Sequence, residues 1–254
     1  TGAFRIASFN VHYFTDIFEQ HPTLASILRD IQRINADCVG LQEVLVGGSQ
    51  IRINPHLTVD VSSYFSWLRK HNYTKHVFCN SVPSWFDGVY GNATLVQHQN
   101  CLQARCENLN EEIHTFPKSK HSTVVSGGLV GTRETRCYIR TSFKWTNSQN
   151  TTYNLHVFNT HLDVATEAER LSQVRTIIRH SKAFNRPTDV VFVIGDFNTF
   201  RSIDKCMQAG RLRAILRQTT LRQHSFFKER RRVVQTFTKS GFIDCHAHLP
   251  CTQR

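Results

Sequence analysis

No apolar run in this 254-residue chain approaches the roughly 20 residues that a helix needs to cross a bilayer, so a membrane-spanning helix is excluded. No linker divides the sequence and no short-period repeat runs through it, which argues for a single domain over residues 1–254. Acidic residues are scarce: 19 Asp and Glu stand against 31 Lys and Arg, a formal charge of +12. Such a field concentrates polyanions, so nucleic acid, anionic lipid headgroups and inositol phosphates become the partner classes, although excess charge also serves solubility alone. With 40% hydrophobic and 20% charged residues, the chain can bury enough apolar area to offset its conformational entropy, which excludes global disorder.

Cysteine is present without being dense: eight residues do not make a disulfide-stapled scaffold. Cys38 and Cys137 sit in strand-like apolar stretches, where a thiol acts as a small hydrophobe, and only Cys101 and Cys106 form an obvious local pair for a short disulfide loop. This usage favours a reducing, intracellular setting. Secretion stays open because Asn72-Tyr-Thr, Asn92-Ala-Thr and Asn150-Thr-Thr match the glycosylation acceptor pattern. The chain opens on Thr1 rather than Met, so any leader is expected to have been removed or never to have existed. A monomer is expected.

Residues 4–11 alternate apolar with small or polar side chains, as a strand with one buried face does. Between Pro22 and Asn35, Leu24, Ile27, Leu28, Ile31 and Ile34 recur at helical spacing, with Thr23 as the expected cap. Residues 36–44 read as a buried strand delivering Glu43, residues 45–62 as a loop containing Gly47-Gly48 and Pro55, and residues 61–71 as a helix. Strand-like runs then dominate from Val89 to Asn159, at 91–96, 126–130, 136–145 and 153–159. Residues 166–184 carry a helical pattern, and 190–194 form a buried strand ending at Gly195-Asp196. Two sets of strands with attached helices suggest an α/β fold of two packed sheets between helical layers.

Asn10, Glu43, His161, Asp196 and Asn198 all end or follow apolar runs that fix their backbones, which is where a site belongs. A hard cation such as Mg²⁺ or Mn²⁺ takes oxygen ligands, and Glu43, Asp196 and the amides of Asn10 and Asn198 supply them without thiols or a histidine cluster. Taken singly, a carboxylate after a strand is more often a cap or turn residue.

The ordered blocks Phe9-Asn10-Val11, Leu41-Gln42-Glu43-Val44, Gly91-Asn92-Ala93, Asn159-Thr160-His161-Leu162 and Gly195-Asp196-Phe197-Asn198 resemble the endonuclease/exonuclease/phosphatase, or DNase I-like, superfamily. The resemblance implies a four-layer αββα sandwich of two mainly antiparallel or mixed sheets. It makes Glu43 the principal Mg²⁺ ligand, with Asn10 beside it in the metal and phosphate site. Asp196 would orient or deprotonate the attacking water, Asn198 would help hold Asp196 and the scissile phosphate, and His161 would donate to a phosphoryl oxygen. Asn92 and Arg136 would contact substrate or support the site, Arg136 equally as an ordinary structural arginine; Asn159 would orient its turn. Glu169, Arg170 and Gln173 resemble the family's run after its histidine, as braces or as a solvated helix face.

One element departs from the pattern. The family normally ends on a strand with an adjacent Asp-His pair, and this sequence contains no such dipeptide. The final strand is therefore absent, or Asp244 and His246 replace the pair. A basic stretch, Lys228 to Arg232 with Arg211, Arg213, Arg217 and Arg222 before it, could line a polyanion groove or be a solvated helix. The leading expectation is a metal-dependent phosphodiesterase acting on nucleic acid, as a nuclease or in DNA-end processing. The alternatives are a phospholipid or inositol-phosphate phosphoesterase, hinted at by Trp67, Trp85 and Phe86, and a catalytically weak polyanion-binding protein that keeps the fold.

Overall fold

A computed structural model of the chain describes residues 3–16, 21–47, 50–54, 56–71, 73–86, 88–97, 106–117, 135–163, 166–199 and 231–245. Strands β1 (Ile6–Asn10) and β2 (Cys38–Val46) run parallel and are joined through helix α1 (Leu24–Ile34). Leu24, Ile27, Leu28 and Ile31 fall on the buried face of α1, which stops at Asn35 in the left-handed region. Thr23 stands at the cap position, but its hydroxyl makes no capping bond.

The segment expected as a loop contains a hairpin, β3 (Gln50–Asn54) with β4 (Leu57–Asp60). Two short strands stand where a coil was expected, and alternation buries Ile51, Leu57 and Val59. Helix α2 (Ser62–Lys70) follows as expected, with Tyr64 and Leu68 inward. Trp67, the first of the lipid hints, is half-buried and lies against His71 and Tyr73. A long antiparallel pair, β5 (Tyr73–Phe86) and β6 (Gly88–Gln97), completes a sheet of order β1-β2-β6-β5.

The second sheet has the order β10-β9-β8-β7, built from β7 (Cys106–Thr115), β8 (Cys137–Thr146), β9 (Thr152–His161) and β10 (Asp189–Asp196). Helix α3 (Glu167–Ser181) connects β9 to the parallel β10, and Thr166 caps it by accepting from the Glu169 amide. Helix α4 (Arg231–Lys239) packs on α3. The strand expected at 126–130 and the arginines from 211 to 222 lie outside the described residues.

Three apolar layers follow from this arrangement. One lies between α1, α2 and the first sheet, around Ile31, Leu41, Tyr64 and Leu95. A second lies between the sheets, where Cys38, Val96, Phe143 and Val157 meet Val190, Phe192 and Ile194. The third lies between the second sheet and α3 with α4, where Val191 and Val193 meet Val174, Ile177, Val233 and Phe237. Period-two alternation along β10 thus feeds two layers at once. The result is the αββα sandwich, with both sheets mixed.

Cys38 is a buried thiol as expected, but Cys137 is not: it is bonded to Cys79, tying β8 of one sheet to β5 of the other. The sequence separation of 58 hides this pairing from local cysteine spacing. The expected Cys101–Cys106 pairing lies outside the described side chains. Within each sheet the parallel pairs end together, Asn10 beside Gln42 and Asp196 beside His161.

Candidate active site

The geometry starts from an irregularity in β2. Leu41 pairs with Ala93 and Val44 with Gly91, so Gln42 and Glu43 together oppose the single residue Asn92. Such a bulge turns a side chain out of the pleat, and Glu43 accordingly has a φ of 60°, rare for a residue with a side chain. From β1, Asn10 sends its amide Nδ2 to Glu43 Oε1 and to Asp196 Oδ2, each at 2.9 Å, while its Oδ1 accepts from the His12 backbone N–H. One neutral side chain thereby holds two carboxylates from different sheets at the same point. Asp196 reaches it because Gly195, at φ 135°, presses against β9; a Cβ there would lie 1.8 Å from Thr160 O.

His161 completes the cluster. Its Nε2 lies 3.8 Å from Glu43 Oε1 and 3.9 Å from Asp196 Oδ2. One ligand atom from each of Glu43, His161 and Asp196 lies within 4.8 Å of the others, close enough to share a metal ion. The side chains grade from buried to open: His161 is 5% exposed, Glu43 13% and Asp196 32%, so solvent reaches the group through Asp196. The Asn198 backbone N–H donates to Asp196 Oδ1 at 2.8 Å, and its Nδ2 donates to Leu162 O at 2.8 Å, fixing the turn that carries the carboxylate.

Burial raises the pKa of Glu43 above the ordinary carboxylate range, partly countered by the Asn10 hydrogen bond and by the charges of His12 and Arg136. Burial, reinforced by Arg136, holds His161 well below the usual histidine range, so at neutral pH it is an uncharged imidazole with one N–H to give. Its approaches to the two carboxylates are therefore not ion pairs.

Arg136 is buried, and its charge acts on both Glu43 and His161. Asn92 is fully buried and donates to Cys137 O at 3.2 Å, bridging the sheets. Asn159, expected to orient its own turn, instead points into the first sheet and bonds there to Gln42, Leu41, Ala93 and Thr94. Of the polar residues after His161, Arg170 and Gln173 belong to a buried brace rather than a solvated face, and Glu169 is half-buried. Arg170 bonds Glu167 Oε2 and Asp163 O, both at 3.0 Å, and Gln173 accepts from the Asp163 amide at 2.8 Å. Asp244 is half-buried, and His246 lies outside the described residues.

Sequence reading missed His12. It begins a tight turn in which His12, Tyr13 and Phe14 have φ values of 43°, 56° and 60°, held by the fully buried Phe14 and by Tyr13 against Tyr90. No periodicity signals such a turn.

The family model for the Endonuclease/Exonuclease/phosphatase family matches residues 7–233. The chain belongs to this family. Its members hydrolyse phosphoester bonds. No curated protein matches the chain. Among solved structures it is similar to an endonuclease/exonuclease/phosphatase from Bacteroides vulgatus at 20% identity and a TM-score of 0.52, covering 77% of this chain and 66% of that one. It is also similar to one from Beutenbergia cavernae DSM 12333 at 16% identity and a TM-score of 0.53, covering 78% and 48%. A third is ANGEL2, a 2′,3′-cyclic phosphatase, at 16% identity and a TM-score of 0.51, covering 77% and 53%. The chain thus spans between about half and two thirds of the length of these structures, and the likeness is one of fold.

Proposed function

We propose that the chain is a Mg²⁺- or Mn²⁺-dependent phosphodiesterase that acts on nucleic acid as a single domain. The observation that carries the reading is Glu43. Its Oε2 is buried without a hydrogen-bond partner among the described residues. Burying a carboxylate oxygen unsatisfied is unfavourable, and a divalent cation held by Glu43 would satisfy it. The oxygen donors of Glu43 and Asp196, with no thiol in the cluster, fit such a hard ion, and the His161 imidazole beside them stays free to act on substrate. Bound there, the ion would offset negative charge on the phosphoryl and leaving oxygens.

The roles of the side chains follow from burial and charge. Glu43, fixed by the bulge and by Asn10, is the principal ligand. Asp196 faces solvent and is held by Asn10 and the Asn198 amide, so it takes the proton of the attacking water. His161 is neutral and enclosed, so it donates a hydrogen bond to a phosphoryl oxygen rather than supplying a full positive charge. Arg136 lends positive potential from beneath. The net charge of +12 favours a polyanionic substrate over a neutral one, and nucleic acid is the polyanion placed first, with the panel below deciding among them. Of the three aromatic hints of a lipid substrate, Trp67 packs against Tyr73, and the side chains of Trp85 and Phe86 lie outside the described ones.

The test is a substrate panel at equal concentration with Mg²⁺: labelled DNA and RNA oligonucleotides, oligonucleotides ending in a 2′,3′-cyclic phosphate, inositol phosphates and anionic phospholipid vesicles. Metal-dependent cleavage of an oligonucleotide supports the reading. Turnover confined to inositol phosphate or lipid overturns the substrate class, and salt-sensitive binding of DNA without turnover of any member points to a catalytically weak polyanion binder.

A further inference from the structure

We propose that Asn159 is a positioning residue: its carboxamide, seated in the bulge of β2 from the opposite sheet, sets where Glu43 stands relative to His161. This rests on the reading of Glu43, His161 and Asp196 as the reactive group. Asn159 belongs to β9, two residues before His161, and is fully buried. Its side-chain hydrogen bonds run to the first sheet. Nδ2 donates to Ala93 O at 2.8 Å, to Thr94 Oγ1 at 3.2 Å and to Leu41 O at 3.4 Å, and Oδ1 accepts from Gln42 Nε2 at 2.7 Å.

The place of these contacts is what gives them a consequence. Leu41 and Ala93 are the last paired residues before the bulge, and Gln42 is one of the two residues in it. The carboxamide therefore closes the ladder where it opens, one residue from the reactive carboxylate. A socket is provided for it: a Cβ on Gly40 would lie 2.8 Å from both Asn159 Cγ and Oδ1, so only glycine admits the side chain there. A second asparagine crosses in the opposite direction. Asn92, which faces the bulge, donates to Cys137 O, and Thr160 Oγ1 donates to the same oxygen at 3.2 Å, beside Arg136.

Two sheets packed through apolar side chains alone would be held by contacts with no directional preference. The crossed asparagines add directional bonds at the end of the sandwich that holds the reactive group, and they over-determine the left-handed backbone of Glu43. A buried asparagine that only satisfied its own polar atoms would stabilise the fold without affecting the site.

The experiment uses Gln42→Met, which removes one bond of the lock while keeping volume, and Asn159→Ser, which is too short to cross. Mn²⁺ affinity is read by electron paramagnetic resonance at a temperature where each variant is folded. Amide hydrogen exchange of the peptide containing Glu43 is read without metal, and kcat and KM are read on the cleaved oligonucleotide. Mn²⁺ binding weaker by about tenfold or more is expected, as for other residues that orient a metal ligand. Exchange is expected to speed up at 42–44, with kcat falling while KM stays within roughly twofold. Wild-type Mn²⁺ affinity and exchange in folded variants would overturn the proposal, leaving Asn159 as a stabiliser only. If the wild-type protein binds no Mn²⁺, the functional reading fails and the metal-free exchange alone decides the role of Asn159. If Asn159→Ser does not fold, Gln42→Met carries the decision.

Discussion

Replacing Glu43 with Gln is expected to stabilise the metal-free protein while removing its activity. Burial raises the folded-state pKa of Glu43, so the folded protein holds this proton more tightly than the unfolded chain, whose value is about 4.3. Stability linked to it is therefore fully present below the unfolded value and is lost as pH rises through the folded one. Above that folded value the wild-type protein carries the loss, together with a buried Oε2 that makes no hydrogen bond among the described residues. Glutamine keeps the oxygen that accepts from Asn10 and makes the other atom an uncharged donor. Removing an unsatisfied buried group is worth about 1–3 kcal/mol. In a chain of this size that is roughly 2–4 °C in Tm for each kcal/mol. Excess Mg²⁺ reverses the order: at a hundred times Kd it adds about 2.7 kcal/mol to a protein that binds it, and nothing to one that does not. Differential scanning calorimetry in EDTA and in Mg²⁺ measures both. A variant less stable than wild type in EDTA, or a wild-type Tm indifferent to Mg²⁺, refutes the reasoning.

Asp196→Asn is expected to lower kcat by about 10²–10⁴-fold through loss of the base, with Mn²⁺ still bound at Glu43; an unchanged kcat would remove Asp196 from proton transfer. His161 is held below the usual histidine range by burial, so the unfolded chain takes up a proton that the folded state refuses. Stability linked to it is present above the unfolded pKa of about 6.5 and is lost as pH falls toward the folded value. Urea titrations from pH 7 to 5 should therefore show a shallower loss for His161→Gln than for wild type, and identical slopes contradict the assignment. Arg170→Met leaves the Glu167 carboxylate buried in the first turn of α3 without its cation, and urea unfolding should show a loss of about 3–5 kcal/mol; a change below about 1 kcal/mol, the level of a surface pair, would mean the brace is solvated.

The residues brought together at the candidate site were legible in the sequence because each ends or follows a strong apolar run. Asn10, Glu43, His161 and Asp196 inherit their positions from strands whose alternation and β-branched content mark them out. Helices α1 and α3 were legible for the same reason, since one-sided burial imposes a visible period. Strands β5 and β7 were not: they lie at sheet edges as β1 and β10 do, but β7 runs through the mostly polar residues 107–112, which an edge tolerates and which hide its period. The hairpin of β3 and β4 was hidden because its two runs are short and the sequence around them holds Gly47-Gly48 and Pro55. The bulge at Gln42 and Glu43 was invisible too: it depends on register against β6, which no single strand records. For that reason Asn159 read as a turn residue, although its partners lie 65 to 118 residues away along the chain. The Cys79–Cys137 bond and the turn at His12 to Phe14 are likewise products of tertiary packing.

The most direct measurement is turnover of bis(p-nitrophenyl) phosphate, a phosphodiester that needs no specific recognition, titrated with Mg²⁺ and repeated in EDTA for the wild-type protein and Glu43→Gln. Saturable Mg²⁺-dependent release of p-nitrophenol, lost in EDTA and in the variant, is the result expected of a metal-assisted site at Glu43. Release that persists in EDTA or in the variant, or no release at any Mg²⁺ concentration from the folded protein, would contradict it.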